Sequence, residues 1–180
     1  MHSLRISTLL LAASLLAGCA SGIDGSRYAD GEPALDLFEF FTGRVVAWGV
    51  VQGRDGNVVQ RFRVDIDGSV EDDTLTLDER FDYRQGEGVT HRVWTIERQA
   101  DGGYTGRAGD ILATAEGAAY GNAFQWRYQM DLPVGDGSYR VNFDDWFWSV
   151  TEDTLVNRSY IRKFGITFAE VTIFMQRQAR

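Results

Sequence analysis

Cysteine, proline, lysine and histidine are all scarce in this 180-residue chain, and each scarcity excludes something. A single cysteine, Cys19, rules out an internal disulfide, so the fold must stand on its packed core. The two histidines, His2 and His91, cannot form a histidine-rich zinc centre, and a thiol–histidine nucleophile has no partner. A serine triad would need His91, yet no nucleophile-elbow motif accompanies it. Neither a phosphate-cradling glycine-rich loop nor a dinucleotide fingerprint occurs. Of the 18 basic residues only Lys163 is lysine, and 26 acidic residues leave a formal net charge of −8. Nucleic acid is a poor partner for so acidic a chain.

Long apolar runs are also few, and the one at the N-terminus reads as a targeting segment. Arg5 supplies a positive start, Ile6 to Leu16 a short apolar stretch, and Leu16-Ala17-Gly18-Cys19 follows. The run is too short for a spanning helix and ends in small residues. The tetrapeptide resembles the bacterial lipobox, which implies cleavage after Gly18 and a diacylglycerol on Cys19. Ala20 follows in place of the aspartate that resembles an inner-membrane retention signal, so the expected location is the outer membrane with the domain facing the periplasm. The expected organisation is a signal peptide over 1–18, a lipidated tether over 19–34 and one domain over 35–180.

What is abundant in the chain is glycine and aromatic side chains, with 20 Gly, 5 Trp, 7 Tyr and 11 Phe. After one helical turn over Asp36 to Phe41, the pattern alternates. Phe62, Val64 and Ile66 oppose Arg61, Arg63 and Asp65, for example. Roughly eight to ten strands separated by short turns predict an all-β antiparallel up-and-down barrel, lipocalin- or calycin-like, with a short N-terminal helix; a small β-sandwich is the alternative.

Candidate site residues follow from face assignment. Leu75, Leu77, Glu79, Phe81 and Tyr83 share the inward face of one strand. A turn centred near Gly86 brings Arg92, Trp94 and Ile96 onto the same face, with Glu79 beside Arg92. An inward carboxylate and guanidinium are each costly alone and together form a charge-assisted pair. That pair either meets the acidic end of a ligand or fixes strand register. Asp145 shares a face with Tyr139, Val141, Phe143 and Phe147 and is a second inward acid, whereas Asp144 points the other way. Trp126 alternates with Phe124, Tyr128 and Met130. The candidate ligand-binding set is therefore Glu79, Phe81, Tyr83, Arg92, Trp94, Trp126 and Asp145, with no catalytic residue, metal or cofactor expected. Asp65-x-Asp67-Gly68 lacks the full calcium-loop spacing and reads as a solvated acidic turn.

Several short signatures occur together: Phe41-x-Gly43 with Trp48-Gly49; Leu77-Asp78-Glu79-x-Phe81-x-Tyr83 with Arg92-x-Trp94; Tyr104-x-Gly106-x-Ala108-x-Asp110; Gly121-Asn122-Ala123; Asp144-Asp145-Trp146; Asn157-Arg158; and Lys163-Phe164-Gly165. In combination they resemble a family of uncharacterised proteobacterial lipoproteins with a domain of unknown function, from about Leu35 onward. The resemblance implies a lipocalin-like barrel and brings no catalytic residues. Three functions are compatible with these observations. The first is binding of a lipid or other amphiphile in the barrel interior. The second is an envelope structural or assembly role for a filled barrel, docking another protein through Trp146 and Trp148. The third is an enzyme acting on lipid or glycan through Glu79 or Asp145, which requires an open pocket and an acid of raised pKa.

Overall fold

A computed structural model describes residues 22–134 and 137–179. Cys19 and the targeting segment lie outside the described residues. Ten antiparallel strands form one closed barrel in sequential order. They are β1 (Gly43–Gly53), β2 (Val58–Glu71), β3 (Thr74–Gln85), β4 (His91–Arg98), β5 (Tyr104–Ala108), β6 (Ala115–Tyr120), β7 (Ala123–Val134), β8 (Gly137–Thr151), β9 (Thr154–Lys163) and β10 (Ile166–Arg177). Closure is made by β1, which pairs with β2 on one side and with β10 on the other. The up-and-down barrel expected from the alternation is therefore the observed fold, and no sandwich forms.

The alternation sets the inside and outside of the wall. On β2, Phe62, Val64 and Ile66 are buried, while Arg63 and Asp65 stay on the outer surface, 2.7 Å apart. Asp67 also pairs outside, with Arg80 at 3.1 Å. The acidic stretch thus belongs to a strand and its ion pairs, not to a calcium loop. His91 is exposed beside Asp78 at 3.2 Å.

The predicted N-terminal turn is helix α1 (Leu37–Phe41). Asp36 caps it by accepting hydrogen bonds from the backbone N–H groups of Phe38 at 2.8 Å and Glu39 at 3.1 Å. Leu37, Phe38, Phe40 and Phe41 are all buried, so the helix is a hydrophobic plug at one end of the barrel. It seats against Gly68, where a methyl group would lie 1.7 Å from the Phe41 carbonyl oxygen.

Of the segment expected to be a lipidated tether, the described part, residues 22–34, is docked on the barrel through Gly25–Tyr28. Gly25–Tyr28 form a 3-10 turn capped by Asp24, and Leu35 N–H donates to the Gly121 carbonyl at 2.8 Å. Tyr28 lies 6.1 Å from both Trp146 and Trp148, and Tyr120 stacks on Trp146 at 5.9 Å. The chain covers its own outer tryptophans, leaving Trp146 1% exposed. The face proposed from sequence as a docking patch is consequently occupied from within the molecule.

Candidate functional site

The plug at one end and open turns at the other leave the barrel hollow. A cavity of about 900 Å³ runs inward from a mouth bordered by Gln60, Glu87, Gly88, Val89, Pro133 and Phe168 to a floor made by Leu37 and Phe41. A volume of this order is typical of small-molecule sites. Its wall is largely apolar, built from the inward residues of most strands. Tyr83 donates to the Val89 carbonyl at 2.9 Å and Gln60 donates to the Glu87 carbonyl, so both fasten the β3–β4 loop to the rim. On the β9–β10 tip, Phe164 has φ 52° and is 92% exposed.

All seven sequence-selected residues line this one cavity: Glu79, Phe81, Tyr83, Arg92, Trp94, Trp126 and Asp145. The register puts Glu79 opposite Arg92, as the turn near Gly86 requires. Trp94 and Trp126 meet edge to face at 5.7 Å, and Trp94 meets Tyr128 at 5.4 Å. Trp126 lies against two glycines, Gly117 of β6 and Gly106 of β5. A methyl at Gly117 would come within 2.4 Å of its ring, and one at Gly106 within 2.6 Å. Missing side chains on β5 and β6 thus make room for the largest aromatic of β7.

The polar partners of Arg92 differ from the expectation. Its guanidinium donates twice to one oxygen of Asp110, from Nε at 2.9 Å and from Nη2 at 2.5 Å. Glu79 is a charged neighbour without a hydrogen bond to it among the described contacts. Asp110 follows β5 in the inward series Tyr104, Gly106, Ala108, and Ala108 pairs with Trp94. Extending that register by two residues sets Asp110 against Arg92, a signal available in the sequence. The Arg92 guanidinium also sits 5.8 Å from the Phe81 ring centre and 5.9 Å from that of Trp94.

Across the cavity, Asp145 is 7% exposed and its Oδ1 has no hydrogen-bond partner. Ser159 faces it in the β8–β9 register, and Asn157 and Ser159 both line the cavity. Asp144 points outward, accepting from Arg162 at 2.8 Å and Gln125 at 2.6 Å. The two adjacent acids therefore do not form a dyad, as strand alternation demands.

Burial controls the protonation of this belt. Desolvation pushes Glu79 up to about 7, opposed by Arg92 and reinforced by Asp110, Asp145 and Asp78. Desolvation likewise pushes Asp145 up to about 7, against the Ser159 hydroxyl, the Arg92 charge and the Tyr128 hydroxyl. Tyr128 is raised well above its ordinary value, by burial first and by Asp145 next. Burial also disfavours the Arg92 cation, but its interactions with Tyr128, Glu79 and Asp110 more than offset this, and its pKa rises. At neutral pH the belt accordingly holds one paired cation and two acids poised between charged and neutral.

The chain belongs to the family described as protein of unknown function (DUF3833), which it matches over residues 13–177. No curated protein matches it. Among solved structures, it is similar to an S-type phycobiliprotein lyase, CPES, from Guillardia theta. That match has a TM-score of 0.56 and 12% identity, and it covers 80% of this chain and 92% of the other. At that identity the likeness concerns the fold, a closed lipocalin-like barrel.

Proposed function

We propose that this protein is a membrane-anchored carrier or receptor that holds an amphiphilic small molecule, such as a lipid, inside its barrel. One observation carries this reading: a cavity of about 900 Å³ with apolar walls, a polar belt at Glu79, Arg92 and Asp145, a closed floor and an open mouth. An elongated apolar body would replace water along the aromatic wall, a gain of about 25 cal/mol per Å² of apolar surface covered, while its polar part meets the belt. A barrel of similar fold in a phycobiliprotein lyase supports an interior suited to a guest. The open interior weighs against a filled structural barrel, and Tyr28 and Tyr120 already occupy the outer tryptophan face. Anchoring belongs to the same proposal, through a diacylglycerol on Cys19 at the outer membrane.

Organic extraction of protein purified from its own membranes, followed by mass spectrometry, tests the reading. A stoichiometric amphiphile absent from a variant with a blocked cavity supports it. An empty barrel that also takes up no amphiphile in vitro overturns it. Intact-mass measurement of the mature chain tests the anchor, and Cys19→Ser should release the protein from the membrane fraction.

A second reading has a specific observation in its favour. Glu79 and Asp145 are acids of raised pKa in an accessible cavity, which is the condition for acid–base chemistry on a bound lipid or glycan. Conversion of the extracted molecule during incubation with fresh protein would favour the enzyme; its recovery unchanged would favour the carrier.

A further inference from the structure

The charge inventory of the cavity narrows what the guest can be, an inference resting on the binding function proposed above. Among the described residues lining the cavity, Arg92 is the one cation, against the carboxylates of Glu79, Asp145 and, at the rim, Glu87. Arg92 is already charge-paired, with two of its five N–H groups donating to Asp110. With that charge offset by Asp110, the acidic headgroup envisaged from the sequence would add a further negative charge to an enclosure that already holds Glu79 and Asp145. Asp145 lines the same cavity as a buried carboxylate, and no protein donor reaches its Oδ1. Buried acceptors of this kind call for a donor.

We propose that the guest is an amphiphile bearing a basic nitrogen, held as a cation between Glu79 and Asp145 with its apolar part along Trp94, Trp126 and Phe143. The belt then carries two cations and three carboxylates, a closer balance than the unliganded site can reach with both acids ionised. The aromatic faces add to the attraction, since a cation is favoured over a ring face. Among the described residues, the polar groups facing the pair are Arg92 from β4, Asp110 after β5, Tyr83 from β3, Tyr128 from β7, and Asn157 and Ser159 from β9, with Asp78 and Asp144 on the outer surface. Because the two acids release their protons near neutrality, binding of the cation strengthens as pH rises from 6 to 8.

Dodecylamine, dodecanol and dodecanoic acid, each below its aggregation threshold, provide the test. Their affinities for the delipidated full mature protein are read by calorimetry and by quenching of tryptophan fluorescence. The expected order at pH 8 is amine, then alcohol, then acid, with the amine favoured over the acid by about tenfold or more, the scale of one charge-assisted contact. The ratio of amine to alcohol affinity should fall toward one in Asp145→Asn and in Glu79→Gln, and should shrink in the native protein at pH 6. Asparagine at 145 is isosteric and neutral, so that variant retains the fold even where the glutamine variant does not. Tightest binding of the acid, or an amine preference that survives both substitutions, overturns the inference while leaving a binding barrel intact. Failure of all three probes overturns the binding function itself.

Discussion

Stability should fall as pH rises through the range where most proteins gain it, and the two interior acids set the size of the effect. In the unfolded chain Glu79 and Asp145 ionise near 4.5 and 3.8; in the barrel both do so near 7. Between those limits the unfolded state binds fewer protons than the folded one, so stability decreases with pH across about 4 to 7 and levels off above. At 1.36 kcal/mol per pKa unit, either acid alone contributes a loss of about 3 to 4 kcal/mol. The two are coupled, so the titration belongs to the pair and the losses are not simply summed. Asp145→Asn removes one ionisation, and its advantage over the native chain should grow from pH 5 to pH 8. There it should reach about 2 to 3 kcal/mol, or roughly 5–10 °C in Tm for a domain of this size. Thermal melts of delipidated protein, followed by near-ultraviolet circular dichroism at pH 5, 6, 7 and 8 and constant ionic strength, measure this directly. Asp24 and Asp55, whose carboxylates are held below the ordinary range by hydrogen bonds from Ser26 and Asn57, titrate under this window and do not mask the slope. A native Tm that is flat or rising from pH 5 to 8, with the asparagine variant parallel to it, would refute the reasoning.

Further predictions address the other parts of the site. Arg92→Leu leaves Asp110 and Glu79 without their cation, so it should destabilise by about 3–5 kcal/mol, more at pH 8 than at pH 5, as read from the same melts. Ala169→Trp places a ring in the cavity near the mouth and should weaken dodecanol binding by at least about tenfold while shifting Tm little; undiminished uptake would show that guests enter elsewhere. Gly68→Ala drives a methyl into the Phe41 carbonyl, a backbone atom that cannot rotate away. Loosening of the α1 plug should cost about 1–3 kcal/mol, measurable as a lowered urea midpoint. Tyr28→Ala uncovers Trp146 and Trp148, so tryptophan emission should shift to the red, with the barrel's circular dichroism unchanged.

How far the sequence reveals this architecture depends on what each inference needs. Strand faces need only a period of two, so the inward set from Leu75 to Tyr83 and the opposed Asp144 and Asp145 are legible without coordinates. The Glu79–Arg92 pairing needs the β3–β4 register as well, and the glycine-bracketed turn supplied it. Asp110 needs one further step, continuation of the β4–β5 register past the end of the ladder, which is why the strongest bond of Arg92 escapes a reading confined to one hairpin. Ser159 and Asn157 are small polar residues on the same face of β9 as Leu155 and Ile161; the β8–β9 hairpin register, which sets Ser159 opposite Asp145, gives them a role. Docking of Gly25–Tyr28 was hidden for a different reason, since a polar, glycine-rich segment carries no periodic signal. Its attachment comes from one aromatic side chain meeting two outward tryptophans.

The polarity expected of a guest depends on which internal pairs are seen. An inward arginine in an apolar face suggests an anion-binding group as long as its own counter-ion is unseen. Once Asp110 offsets that guanidinium, the charge left over in the enclosure is that of Glu79 and Asp145 when they ionise. Recognition in a closed cavity depends on the charges left over after internal pairing rather than on the charges present. By that criterion a guest that donates protons or carries positive charge relieves the barrel, whereas one that brings a carboxylate must first be neutralised or expel a proton-bearing acid from contact. The amine-over-acid preference and the inverted pH–stability slope are therefore two readouts of one quantity, the free energy of ionising Glu79 and Asp145 inside the wall. They should vanish together in a variant that is neutral at both positions.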